Sequence, residues 1–296
     1  MDGTLLGPDG QVSARNRAAL RLAHERGIEV VVATGRRHSY AIGPLRACDI
    51  CPENALISSN GTVIRSFGAD LLHREHMPIE TARWIVEHAR DFRSTLVITF
   101  DTTQPNGEEA RGSLVCETGH NLTTTINKWM EANARFFEHV AKIEDALQGE
   151  PPIQMMLCGP IERMRAAERL LSAHPKVAAP GQEPTAETEI TLHRTEYPER
   201  DLSILDILPA GVSKASALLR LAELRGITPA QMMAIGDNWN DLAMLRLVGR
   251  PVVMANAPAD LLELARNHGW EVVPGHEADG VAVAIEAILQ AEPAHR

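Results

Sequence analysis

Nowhere in the 296 residues is there a run of about 18 apolar residues, so no segment reads as a membrane span. The N-terminus opens on Met1, Asp2 and Gly3, not on a basic stretch followed by an apolar one, so no secretory leader is expected and the reading is cytoplasmic. Positive charge is also short. Lys and Arg number 29 against 39 Asp and Glu, a net charge of −10, which excludes a general nucleic-acid binder because that role needs a basic face. Cysteines are only four: Cys48, Cys51, Cys116 and Cys158. The pair Cys48/Cys51 has no second ligand pair at metal spacing and lies in a loop leading into a strand, so it is read as incidental, neither zinc site nor redox centre. Asn121-Leu122-Thr123 fits a glycosylation sequon, which carries no meaning without secretion.

What is present is an ordinary globular composition, 44% hydrophobic and 23% charged, in a chain long enough for two cores. The most informative stretch is Met232–Leu245. A short apolar run turns sharply at Gly236 and resumes as an apolar-periodic helix, with Asp237 and Asp241 four residues apart on the turn. In an open α/β sheet, ligands bind at the carboxyl ends of strands. Two aspartates converging there repel each other unless a cation lies between them, and oxygen-only ligands favour a hard ion such as Mg2+. The same residues also read as a polar turn with Asn238 or Asp237 as helix N-cap.

Other strand-end loops accompany it. Ile28–Ala33 is a β-branched apolar run broken only by Glu29 that reads as a buried parallel strand, and Thr34-Gly35-Arg36 follows, where a hydroxyl and a glycine amide can hold a phosphate oxygen. Pro209–Ala215 reads as a turn in which Ser213 caps a helix to about Leu224, with Lys214 in its first turn. Together with Met1-Asp2-Gly3-Thr4-Leu5-Leu6, these segments in this order resemble the four motifs of the haloacid dehalogenase (HAD) phosphatase superfamily. Ile57–Gly61 and Val253–Ala257 narrow the likeness to its Cof-type, sugar-phosphatase-like branch.

The resemblance implies an Mg2+-dependent phosphatase of a small phosphorylated metabolite, working through an aspartyl-phosphate. It makes Asp237 a direct metal ligand and gives Asp241 the role of orienting the metal shell, directly or through water. It gives Asp2 a backbone carbonyl on the metal and the part of general acid, then base. Thr34, Gly35, Lys214 and Asn240 would hold phosphate oxygens, and Asn60 would lie near the substrate. The backbone at Met1 would also touch phosphate, although a free N-terminal residue is badly suited to this. The family's nucleophilic aspartate falls immediately ahead of Met1 and is not among these residues. Its strand is normally central in the sheet, so its loss is expected to leave two ladders unpaired, an apolar slot open and turnover low. A mis-called internal methionine is favoured over a truncated, catalytically impaired relative, because the other motifs are intact. The alternative function is a non-catalytic module that binds a phosphorylated ligand.

Further elements follow from local signals. Ser13 caps a helix to about Arg26, with Val12, Leu20 and Leu22 toward the sheet. Asn60-Gly61 marks a hairpin after the strand Ala55–Ser58. From Pro78 the pattern becomes antiparallel in character: helix Ile79–Phe92, strand Thr95–Phe100, an exposed loop over 102–113, strand Pro151–Cys158, helix Ile161–Ser172 and short strand Pro175–Ala179. Trp84, Phe92, Phe100, Trp129, Phe136 and Phe137 are read as its core. Leu202–Leu208 reads as a return to buried parallel strand. The expected organisation is therefore an α/β, doubly wound parallel sheet formed by residues 1–78 and 186–296, with an inserted α+β cap domain over 79–185.

Overall fold

The computed structural model describes residues 1–119 and 126–291, so the sequon at Asn121 lies outside the described residues. The chain divides into two compact units, Met1–Leu72 with Lys214–Arg296, and His73–Ser213. Among the described residues no helix is long and apolar enough to cross a membrane.

Helix α1 (Ala14–Glu25) begins where expected, because the Ser13 hydroxyl accepts the Asn16 amide at 3.0 Å. Its buried face carries Asn16, Ala19, Leu20 and Ala23, an i, i+3, i+4, i+7 stripe; Leu22, expected inward, lies roughly 110° round the helix from the centre of that stripe and is exposed. Of the apolar run 28–33 only β1 (Val32–Ala33) joins a ladder, parallel to β2 (Ala55–Ser58). Helix α2 (His38–Leu45) lies between them in sequence. The hairpin is present: β2 pairs antiparallel with β3 (Val63–Ser66) across a turn in which Ser59 and Asn60 take positive φ, and β4 (Leu71–Arg74) completes this sheet.

The second unit contains helices α3 (Ile79–His88), α4 (Asn127–Ala132) and α5 (Ile161–Ser172). Its strands are β5 (Leu96–Thr99), β6 (Leu114–Glu117), β7 (Phe137–Val140), β8 (Gln154–Gly159), β9 (Val177–Ala178), β10 (Ile190–Tyr197) and β11 (Leu202–Pro209). They form one sheet in the order β7-β6-β5-β8-β11-β10-β9. One face buries Ile98, Met155, Leu205 and Ile207 with α3 and α5, and the other buries Val97, Met156, Cys158 and Phe137. The six aromatics expected in this core are packed in it or buried beside it. The expected boundary at residue 186 is displaced. β11 pairs antiparallel with both β8 and β10, so residues 186–213 belong to this unit. A strand buried on both faces is equally apolar in either kind of sheet, and its pattern carries no sign of direction.

The first unit resumes with α6 (Lys214–Arg225), β12 (Met233–Gly236), α7 (Leu242–Leu247), β13 (Arg250–Met254), α8 (Ala259–Asn267), β14 (Glu271–Val273) and α9 (Gly280–Ala291). β12, β13 and β14 are parallel. The unit is mixed α/β with parallel strands and covering helices, but its sheet is divided: β1 and β12 are each hydrogen-bonded on one side only. Val31, Ala33, Met233 and Ile235 are correspondingly half-buried where full burial was expected. Val32 and Val252 nevertheless share one core cluster, and Ile57, Ala234 and Val253 another, so both sheets pack on common layers of side chains.

Candidate active site

The site grows from the carboxyl end of β12. The chain turns at Gly236, where a Cβ would stand 2.6 Å from that of Asp241; glycine is what lets the loop fold back on itself. The turn is capped twice over, as the polar-turn reading expects: the Asn238 side chain accepts the Trp239 amide at 2.8 Å, and Asp241 closes a capping box. Asp241 Oδ2 takes the amides of Asp237 (3.2 Å) and Asn238 (3.4 Å), and Oδ1 takes Lys214 Nζ at 2.7 Å. Both members of this ion pair are buried, at 7% and 8% side-chain exposure. Burial pushes the Asp241 carboxyl upward, but the Lys214 ammonium, the Met1 amino group and the Asp237 amide together outweigh it and hold the group below the usual carboxylate range.

Asp237 is set differently. The Thr4 hydroxyl donates to its Oδ1. Burial, reinforced by the Asp241 charge and only partly offset by Thr4, holds its carboxyl above the ordinary value. Two aspartates four residues apart thus have opposite tendencies, because one has its own cation and the other lacks one. The Met1–Leu6 turn is tightened by the Met1 carbonyl, which accepts the amides of Leu5 (2.9 Å) and Leu6 (3.0 Å). Gly3 sits at φ +69, and a Cβ there would collide with the Asp237 carboxylate, so the turn approaches Asp237 only with glycine at this position.

Asp2 points elsewhere. Its carboxylate accepts Arg36 Nε at 2.9 Å, and Arg36 lies 4.5 Å over the Tyr40 ring. Burial raises the Asp2 carboxyl, and the Arg36 hydrogen bond and charge more than cancel that, leaving it below the usual value. Among the described residues no three His, Cys, Asp or Glu side chains are arranged as a metal site. Of the three aspartates read as metal residues, Asp2 has its side chain on Arg36, which leaves its backbone carbonyl for the role expected of it, and Asp241 has its side chain on Lys214. What fits a cation is the Asp237 carboxylate, costly to ionise without one, in a loop that offers oxygen donors and neither His nor Cys.

Thr34 is buried after β1, its hydroxyl accepting the Arg36 amide at 3.1 Å. The backbone N–H of the buried Asn60 donates to the Thr34 carbonyl at 3.0 Å, and the Asn60 side-chain Oδ1 would lie 2.9 Å from a Cβ on Gly35, so these three residues are neighbours. Met1 stands among Lys214, Asp241 and Asp237; burial, followed by the Lys214 charge, lowers the pKa of its amino group. Asn240 lies on the turn between the two aspartates. The roles of Thr4 and Arg36 were not foreseen. Both stand inside motif segments, but their partners are 233 and 34 residues away, and no local pattern announces such pairs.

Residues 1–285 match the family model described as haloacid dehalogenase-like hydrolase. The chain is 27% identical over 303 residues to the 5-amino-6-(5-phospho-D-ribitylamino)uracil phosphatase YwtE of Bacillus subtilis (strain 168), covering 99% of this chain and 97% of the relative. Its structure is similar to that of a haloacid dehalogenase-like hydrolase from Bacteroides thetaiotaomicron, with a TM-score of 0.72 at 26% identity, covering 97% and 96% of the two chains. It also shares its fold with the HAD subclass IIB sugar phosphatase BT4131, with a TM-score of 0.70 at 19% identity over 97% of this chain and 96% of the other.

Proposed function

This chain belongs to the haloacid dehalogenase-like hydrolase family, and we propose that it serves Mg2+-dependent hydrolysis of a small phosphorylated metabolite through an aspartyl-phosphate. The observation that carries this reading is the buried Lys214–Asp241 pair beside an Asp237 that has no cation of its own. A phosphate dianion repels a carboxylate nucleophile, and positive charge fixed in advance offsets that repulsion.

In this reading Lys214, already aimed by Asp241, binds a phosphate oxygen as a point charge. The Thr34 hydroxyl and the Gly35 amide hold a second oxygen, with Asn60 behind them and Asn240 on the facing turn. Asp237 and the backbone carbonyl of Asp2 would hold Mg2+, which when bound supplies further positive charge opposite the phosphate. Asp241 positions Asp237 and Lys214 through its two oxygens and would orient the metal shell, directly or through water. Asp2, a carboxylate while Arg36 holds it, takes a proton as general base; to give one as general acid it must leave Arg36. The YwtE likeness makes an aromatic polyol phosphate one substrate to try beside hexose phosphates.

The resemblance puts the attacking carboxylate directly ahead of Met1, so two forms are compared, the 296-residue chain and one carrying Asp before Met1. The second is expected to hydrolyse p-nitrophenyl phosphate with Mg2+ and to lose about 100-fold or more in Asp237→Asn, while the first stays near background. Hydrolysis by neither form, with Mg2+ and the full substrate panel, would overturn the reading in favour of a non-catalytic ligand-binding role.

A further inference from the structure

The segment Val253–Ala257 plays no part in the chemistry above, yet one of its residues reaches the site. Asn256 lies in the loop that leaves β13, at the same end of the parallel strands as Asp237. Its Nδ2 donates to the Gly3 carbonyl at 2.9 Å, and its Oδ1 accepts the His276 amide at 3.0 Å. The backbone partners fix which way the amide faces, since a carbonyl needs the NH2 and an amide needs the oxygen. One short side chain therefore joins three segments: the Met1–Leu6 turn, the end of β13 and the Gly275–His276 turn ahead of α9.

Gly3 is the residue whose missing Cβ lets the turn close on Asp237, and its neighbour Thr4 donates to that carboxylate. A shift of the Gly3 carbonyl carries Asp2 and Thr4 with it. Asn256 is itself exposed, and hydrogen bonds from exposed side chains add little to folding. Both ends of an exposed amide placed on backbone beside the acid loop point to geometry as what this residue supplies.

We infer that Asn256 is a positioning residue: it holds the Gly3 carbonyl so that the Asp2–Thr4 turn faces Asp237, and it ties that turn to the loop before α9. The inference rests on the phosphatase reading only for the purpose of the turn, not for the contact.

The test uses Asn256→Asp, which keeps the acceptor for His276 and removes the donor to Gly3, beside Asn256→Ala, which removes both. Amide exchange is followed by NMR at Thr4, Leu5, Leu6 and His276, and Mg2+ binding by calorimetry. In Asn256→Asp the three turn amides are expected to exchange faster while His276 keeps its protection, and Mg2+ is expected to bind about 10-fold more weakly to Asn256→Ala, which adds no charge beside the site. In Asn256→Ala the His276 amide loses protection as well. Unchanged turn amides in Asn256→Asp overturn the inference whatever the Mg2+ result, and so does parental Mg2+ affinity in Asn256→Ala when the parent binds the ion. A parent that binds no Mg2+ counts against the phosphatase reading instead, and the exchange pattern then decides the positioning role alone. If Asn256→Ala fails to fold, Asn256→Asp carries the decision.

Discussion

Lys214 and Asp241 illustrate how one residue's position decides another's charge. Removing Lys214 leaves a buried carboxylate with two backbone amides and no cation. Lys214→Ala is expected to cost about 3–5 kcal/mol near pH 7, read by urea denaturation. The pH dependence has a definite sign. Asp241 has a depressed carboxyl in the folded chain, so its stabilisation is present above the unfolded value of about 3.9 and is lost as pH falls through the lower folded value. Without Lys214, the burial that raises Asp241 loses its main opponent, and the remaining backbone amides and Met1 amino group offset less of it. The deficit of the variant should therefore be largest at neutral pH and shrink on acidification, as Asp241 takes up a proton. A deficit independent of pH would mean that lost packing, not lost charge, explains the cost.

At the scale of elements, α1 and α9 hold each other by a device that neither possesses alone. Asn16, buried on α1, accepts the Ala282 amide of α9 through Oδ1 at 2.9 Å, so one helix caps the first turn of the other. Ser13, the N-cap of α1, is hydrogen-bonded to Asp279 at the start of α9. Asn16→Ala should cost about 1–3 kcal/mol, because it strands a buried N–H, and Asn16→Asp, which keeps the acceptor, should recover part of that. Chemical denaturation of the pair of variants checks it. The sheet edges belong to the same scale: β1 and β12 have one ladder each, and the half-buried Val31, Ala33, Met233 and Ile235 stand beside them. A stretch as apolar as 28–33 forms strand only where a neighbour offers hydrogen bonds, which is why two of its six residues do so.

For the whole molecule the division into two units makes a separate forecast. The segment 73–213 is continuous in sequence and has a seven-stranded sheet with a core cluster on each face. Expressed alone, it should fold cooperatively, giving a dispersed NMR spectrum and a single sigmoidal melt. A segment ended at residue 185, where the sequence pattern sets the boundary, loses β10 and β11 and should fail to fold, because β8 then faces solvent along one edge and Leu205 and Ile207 leave the core. Folding of the shorter segment would show that β10 and β11 are accessory to this unit.

Much of this was legible in the sequence, for a physical reason. Strands β2 and β13, helix α5 and the acid loop are written in patterns within about ten residues: β-branched runs, apolar spacing, Ser and Asn caps, glycine turns. The candidates Thr34, Lys214, Asp237 and Asp241 were readable because each lies just beyond such an element, at the carboxyl end of a strand or the start of a helix. The tertiary structure alone decided the pairings. That Asp2 turns to Arg36, that Thr4 serves Asp237, that Asn256 reaches Gly3 across 253 residues, and that β11 runs antiparallel in the second unit all depend on which surfaces meet. Local propensity acts over a turn of helix or a few strand residues, whereas a hydrogen bond between distant segments is set by how whole layers pack. The sequence by itself therefore determined which loops stand at the strand ends as candidates for the chemistry, and only the packed chain determined which side chain each carboxylate faces.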